Sequence, residues 1–193
     1  MQPDMQAQLG LGALSMTDGC VSKKPGCLLR QRPDLGLLAV QGDAGDAGFQ
    51  ASFERLFAVM PPDAGQVADS GPLSIARVAR CEYLICGRHA HIADLKAREH
   101  TSRGDVSCWI LDITHGQAIF DLEGHRAHDI LAASCGLDMR LGAFPVASAT
   151  RTRFAHIPAY IERRGLEGFR LVVERPLAVY IRDWIETGMD ALR

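Results

Sequence analysis

The chain has 193 residues, and its 21 Lys and Arg against 23 Asp and Glu leave a formal net charge of −2. Hydrophobic residues make up 47% and charged residues 23%, the balance of an ordinary globular protein, and the near-neutral charge gives no electrostatic argument for nucleic acid or an anionic membrane. No apolar run approaches the roughly 18 residues needed to span a bilayer, and the start MQPDMQAQLGLGALSM has an acid and no early Lys or Arg, unlike a secretory signal.

Residues 1–33 are poor in periodic structure and carry scattered Gly, Pro25 and Pro33, the composition of an extended arm, with a disordered tail and an arm that orders against a partner subunit as the two readings. Residues 34–193 then read as one domain of two halves, about 34–106 and 107–193. Leu35 to Gln41 is a short apolar run and a buried strand. GDAGDAG supplies a turn and a helix start with Asp46 as N-cap. Phe49, Phe53, Leu56, Phe57 and Met60 share one helical face, which Pro61-Pro62 ends. Residues 63–72 read as a loop. LSIARVARCEYLICG alternates like a strand pair or one bent strand, and RHAHIADLKAREH is a helix with Ala90, Ile92 and Leu95 inside. TSRGD is a turn. WILDIT is a strand, His115-Gly116 bends the chain, and QAIFDLEG is a second strand. HRAHDILAASC is a short helix with Ile130 and Leu131 toward the core.

RLGAFPVAS is a loop. ATRTRFAHIPAYIER is strand-like, and Pro158 points to an edge or a bulge. A turn at Arg164-Gly165 leads into the strand GFRLVVER. The final helix starts near Pro176, buries Val179, Ile181, Trp184 and Ile185, and ends about Gly188. The order strand, Gly, helix, then strands and a second helix occurs twice. LGLLAVQG corresponds to AIFDLEG, and EYLICGRHAHIADLKARE corresponds to GFRLVVERPLAVYIRDWIE. This pattern is that of an α+β fold made of two ferredoxin-like halves.

Six Cys, at 20, 27, 81, 86, 108 and 135, are scattered rather than spaced as a disulfide framework. Reduced thiols in a cytoplasmic protein are the expectation, with a Cys20–Cys27 disulfide as the alternative. Cys81, Cys86, His89 and His91 have the look of a metal site, but two Cys five apart in strand-like sequence point to opposite faces. His115, His125 and His128 are read as solvent-facing or turn residues. GDAGDAG precedes a helix, as anion-binding loops do, yet Asp43 and Asp46 would repel phosphate. Arg151, Arg153, Arg163 and Arg164 could hold a carboxylate, with a solvated face as the default. Dinucleotide, phosphate-loop, zinc-protease and serine-hydrolase motifs do not occur. The residues define no catalytic, cofactor-binding or metal site.

DITHGQAIFDLEGHRAHDILAASCGLDM resembles the γ subunit family of heterotetrameric sarcosine oxidase. The matching positions are Asp112, Thr114, His115, Gly116, Gly124, Cys135, Leu137 and Asp138, followed by Ala143-Phe144-Pro145, FRLVVER and Trp184. The resemblance covers about Leu35 to Leu192 and departs at Gly136, where the family usually has Pro. It implies a fold similar to the folate-binding aminomethyltransferase of glycine cleavage, without that protein's C-terminal barrel. It also implies a non-catalytic subunit, without cofactor of its own, of an oxidoreductase acting on sarcosine or another N-methyl amino acid. The α subunit of such complexes carries FAD, NAD and tetrahydrofolate, FMN lies between α and β, and δ carries zinc. The partners would be these α, β and δ subunits. A free-standing folate-binding one-carbon transfer module is the alternative, and it requires acidic and aromatic residues converging between the halves.

Overall fold

Several strands are apolar at consecutive positions, so both of their faces must be covered. The architecture meets that demand with two antiparallel sheets stacked face to face and helices on the outside. The computed structural model describes residues 19–101 and 108–191.

Strand β3 (Leu35–Gln41) begins the first half. Helix α1 (Ala47–Phe57) follows, with the Asp46 carboxylate accepting from Phe49 N at 2.7 Å as the N-cap. Then come β4 (Val67–Ser70), β5 (Leu73–Ala79), β6 (Glu82–Arg88), helix α2 (His89–Thr101) and β7 (Trp109–Asp112). Their sheet has the order β4-β5-β6-β3-β7. The second half runs β8 (Gln117–Glu123), α3 (Ala127–Ala132), β9 (Ser148–Phe154), β10 (Ile157–Arg163), β11 (Gly168–Glu174) and α4 (Ala178–Ala191). Its sheet is completed by an N-terminal hairpin, β1 (Cys20–Lys24) and β2 (Cys27–Gln31), giving the order β1-β2-β8-β11-β10-β9. The halves are therefore repeats: β3 matches β8, β6 with α2 matches β11 with α4, and β7 matches β2.

The period of two along each strand sorts its side chains between two layers. Leu38, Val40, Tyr83 and Ile85 meet Phe49, Phe53, Leu56 and Phe57 of α1 and Ile92 and Leu95 of α2. Phe120, Leu122, Phe169, Leu171 and Val173 meet Ile130 and Leu131 of α3 and Ile181, Ile185 and Met189 of α4. The intervening residues Leu35, Leu37, Leu84 and Cys86 pack against Ile119, Tyr160 and Val172 between the sheets.

The structure corrects several expectations. Residues 20–31 of the expected arm form β1 and β2, whose Leu29 is fully buried and which pairs with β8. The turn between these strands is Pro25-Gly26, with Gly26 at φ +78°. It lies against Gly124, at φ +117°, where a Cβ would stand 2.3 Å from the Gly26 carbonyl oxygen. Residues 1–18 of the arm and most of the TSRGD turn lie outside the described residues. The WILD and QAIFDLE strands do not pair with each other. They belong to different sheets, and the Thr114–Gly116 turn between them is the crossover. The halves consequently divide at this crossover, and the second recruits the N-terminal hairpin.

The expected loop 63–72 contains β4. Helix α1 stops at Ala58, which takes φ 57°, so Met60 is 50% exposed. Ala90 is exposed at the start of α2. The stretch ATRTRFAHIPAYIER is two strands, with a turn at Ala155 (φ 49°) and His156 (φ 68°). Pro158 is tolerated inside β10 because pairing with β11 begins only at Tyr160. Helix α4 buries Ile181, Ile185 and Met189, whereas Val179 and Trp184 are only partly covered. It continues through Gly188, which faces Ile130 of α3.

Candidate functional site between the two sheets

Three buried strands each carry a charge at the same depth. Asp121 on β8 shares its parity with Ile119, and Arg170 on β11 shares that of Val172, so both side chains enter the layer between the sheets. Glu162 on β10 enters with Tyr160. The register places Glu162 beside Arg170, Arg170 beside Asp121, and Asp121 beside Arg30 of β2. A row of alternating charge thus crosses four strands.

Arg170 and Asp121 are bidentate, with Nε to Oδ1 at 2.7 Å and Nη2 to Oδ2 at 2.9 Å. Arg32 donates to the same carboxylate at 2.5 Å, and Arg164 stands 3.6 Å from it. Burial alone would raise the Asp121 carboxyl, but the hydrogen bonds and charges of Arg170 and Arg32 hold it below its ordinary value. Glu162 accepts from Ser74 of the facing sheet at 3.0 Å and from Tyr160 at 3.0 Å. Arg170 Nη1 reaches Cys86 Sγ across the sheets at 3.4 Å. Burial pushes the Cys86 thiol up to about 11, so it is protonated at neutral pH.

Two cavities open beside this layer. One of about 230 Å³ is lined by Arg32, Asp69, Arg88, Arg164 and Arg170. The other, of about 290 Å³, lies near Arg151, Tyr160 and Gln117 at the opposite end. Arg151 also joins the sheets through an ion pair to Glu82 at 2.7 Å. The charged groups between the sheets are committed to one another. Their arrangement cross-links two layers; it does not present a nucleophile to a base.

The residues singled out from the sequence do not converge. Cys81 lies in the β5–β6 turn, Cys86 faces the other sheet, and His89 bonds the Pro33 carbonyl at 2.7 Å. His115 and His125 are exposed, and His128 lies 3.3 Å from Asp129. Among the described residues no group of three His, Cys, Asp or Glu is placed to hold a metal ion. Asp43 accepts from Gly45 N at 2.9 Å, using a turn amide internally. Arg153 donates to the His156 carbonyl at 2.9 Å. Arg163 is a correction: it is 2% exposed, lies 4.5 Å over the Phe169 ring and donates to the Met139 carbonyl. Asp121, Glu162 and Arg170 are not among the residues the sequence singles out. Their signal is one charge adjoining apolar residues in each of the runs AIFDL, AYIE and GFRLVV.

Several positions of the stretch 112–138 have structural tasks. Asp112 accepts from Lys96 at 2.8 Å and from Thr114 N at 3.0 Å. The Thr114 hydroxyl accepts from Leu37 N at 2.9 Å, fastening the crossover to β3. Arg175 Nε holds the His115 carbonyl at 2.6 Å. Cys135 Sγ accepts from Leu137 N at 3.4 Å, and Arg140 N donates to Asp138 at 3.0 Å. Nearby, a surface cleft of about 370 Å³ lies between Cys135, His156 and Trp184, with Trp184 Nε1 donating to Ser134 at 2.7 Å.

Residues 41–191 match the family described as "Sarcosine oxidase, gamma subunit family". The chain belongs to the sarcosine oxidase gamma subunit family. It is 26% identical over 154 residues to sarcosine oxidase subunit gamma of Corynebacterium sp. strain P-1, covering 79% of this chain and 75% of that one. With the strain U-96 counterpart it shares 27% identity over 159 residues, covering 81% and 74%. A chain of the heterotetrameric sarcosine oxidase from Corynebacterium sp. U-96 superposes with a TM-score of 0.77 at 21% identity, over 98% of this chain and 95% of that one. Aminomethyltransferase T from Bartonella henselae superposes at 0.60 with 18% identity, over 83% of this chain and 45% of that one. The two-sheet fold of this gamma subunit family member is therefore shared with the glycine cleavage protein. No helix among the described residues is long and apolar enough to cross a membrane.

Proposed function

We propose that the chain is a non-catalytic γ subunit of a cytoplasmic heterotetrameric flavoenzyme that oxidatively demethylates sarcosine or another N-methyl amino acid. The observation that carries this reading is the family match over residues 41–191. In this reading the α, β and δ subunits are its partners and hold FAD, FMN, NAD, tetrahydrofolate and zinc. The chain's own residues suit a packing role. Asp121, Glu162 and Arg170 are each no more than 3% exposed; Asp121 and Arg170 are paired with each other, and Glu162 accepts from Ser74 and Tyr160. The inter-sheet cavities, about 230 and 290 Å³, fall just below the range of roughly 300–1,000 Å³ that small-molecule sites occupy.

Co-expression with the other subunits and pull-down through a tag on this chain tests the proposal. The expected result is a flavin-containing complex that retains the chain; a complete, active flavin complex assembled without it would overturn the reading. A free-standing folate-binding module is the other reading, favoured by acidic and aromatic groups, Glu162 and Tyr160, meeting between the halves. Calorimetric titration of the isolated chain with tetrahydrofolate separates the two, with binding in the micromolar range supporting the module.

A further inference from the structure

Antiparallel sheets end in edges whose unpaired backbone groups invite another strand, and proteins guard them with charge. Here two sheets have four edge strands among the described residues: β1, β9, β4 and β7. Three carry charges that discourage pairing. Strand β1 has Lys23 and Lys24, β9 has Arg151 and Arg153, and β4 has exposed Asp69. Strand β7 differs. Its Trp109 is 83% exposed and its Leu111 64%. Its one acid, Asp112, lies opposite Leu38 on the helix side, beside Lys96 of α2, and not on the face of Trp109 and Leu111.

Register explains which face these two side chains occupy. Trp109 lies opposite Gln41 and Leu111 opposite Ala39 on β3. Those positions share the parity of Leu37, which faces the other sheet. Trp109 and Leu111 therefore continue the inter-sheet face beyond the area that the second sheet covers. Ile110 between them turns to the helix side and packs against that core.

The internal repeat says what the vacant lane is for. In the second half β2 occupies the place of β7, next to the first strand of the repeat, and β1 lies beyond it, antiparallel. In the first half no described strand lies beyond β7. We infer that the edge of β7 is completed by an extended, antiparallel segment of a partner subunit whose alternate apolar side chains cover Trp109 and Leu111. Main-chain hydrogen bonds would give the affinity, and the Trp-Leu face would select an apolar strand. A second copy of the chain would have the same complementary edge. The choice of a different subunit rests on the proposed function, in which the chain enters a heterotetramer with three unlike partners.

Hydrogen exchange on the isolated chain and on the co-expressed complex tests this. Amides of residues 109–112 should exchange about tenfold or more slowly in the complex. A photo-crosslinker placed at Trp109 should capture another subunit. The double variant Trp109→Glu/Leu111→Lys should keep the melting temperature of the isolated chain, because both side chains are exposed, and should weaken association at least about tenfold. A complex that forms with 109–112 exchanging as in the free chain overturns the inference and leaves the proposed function standing. Capture of residues 1–18, of 102–107 or of a second copy also overturns it. If no other subunit co-purifies with the chain, the proposed function fails, and this inference with it.

Discussion

Asp121 and Arg170 stand directly opposite each other on neighbouring strands, joined by two hydrogen bonds of 2.7 and 2.9 Å, and neither is more than 3% exposed. Removing one member of such a pair leaves a buried charge without its counterpart. Asp121→Asn should therefore destabilise the fold by about 3 kcal/mol or more. The double variant Asp121→Leu/Arg170→Met should recover much of that loss, since an apolar pair has no charge to desolvate. Urea unfolding of the three variants measures both. An Asp121→Asn protein as stable as the parent would contradict the assigned pairing.

The same pair makes stability depend on acid. The folded Asp121 carboxyl titrates below its ordinary value because Arg170 and Arg32 outweigh the effect of burial. A depressed carboxylate contributes stability that is fully present above the unfolded pKa of about 3.9. That contribution fades as pH falls from there through the lower folded value. The parent should lose stability between neutral pH and pH 3, and Asp121→Asn should lose less over the same step. Parallel curves for the two proteins would show that Asp121 is not the group responsible.

Gly124 and Gly26 decide whether the N-terminal hairpin docks. An Ala at 124 would have to adopt φ +117° and set its Cβ 2.3 Å from the Gly26 carbonyl oxygen. Gly124→Ala should cost roughly 1–3 kcal/mol and loosen β1 and β2. Trypsin reports this directly. In the isolated parent, Arg30 lies in β2, whose pairing with β8 should shield it, whereas in the variant it should be cut early. Rapid cleavage at Arg30 in the parent would mean that the hairpin is not held as described.

Burial raises both the Cys27 and Cys86 thiols to about 11. At pH 8 an aromatic disulfide reagent should leave both nearly untouched in the native chain. In urea each should react at the rate of an ordinary thiol with a pKa near 8.5. Mass spectrometry of the labelled peptides identifies the sites. Fast native labelling of Cys86 would contradict its place beside Arg170.

Periodicity and local chemistry were enough for what nearest neighbours along the chain determine. The Asp46 cap, the Phe49–Phe57 face, the helix through Ile92 and Leu95, and the strand FRLVVE could all be read directly, because each depends on a repeat of 3.6 or 2 residues. So could the doubled strand-helix order. Which strand pairs with which is a different matter, because hydrogen bonding in a sheet leaves no local trace. WILDIT and QAIFDLEG read as two strands with a bend at His115-Gly116, and only the tertiary structure places them in two different sheets with Thr114 at the crossover. Pro25-Gly26 is turn chemistry set between the short runs CVSKK and CLLRQ. Those runs are too short and polar to declare themselves, and they become strands because β8 offers them an edge. The charges at 121, 162 and 170 lie far apart in sequence and meet only through register. Sheet pairing turns three solitary charges into one row of alternating sign and leaves Trp109 and Leu111 exposed on an edge strand.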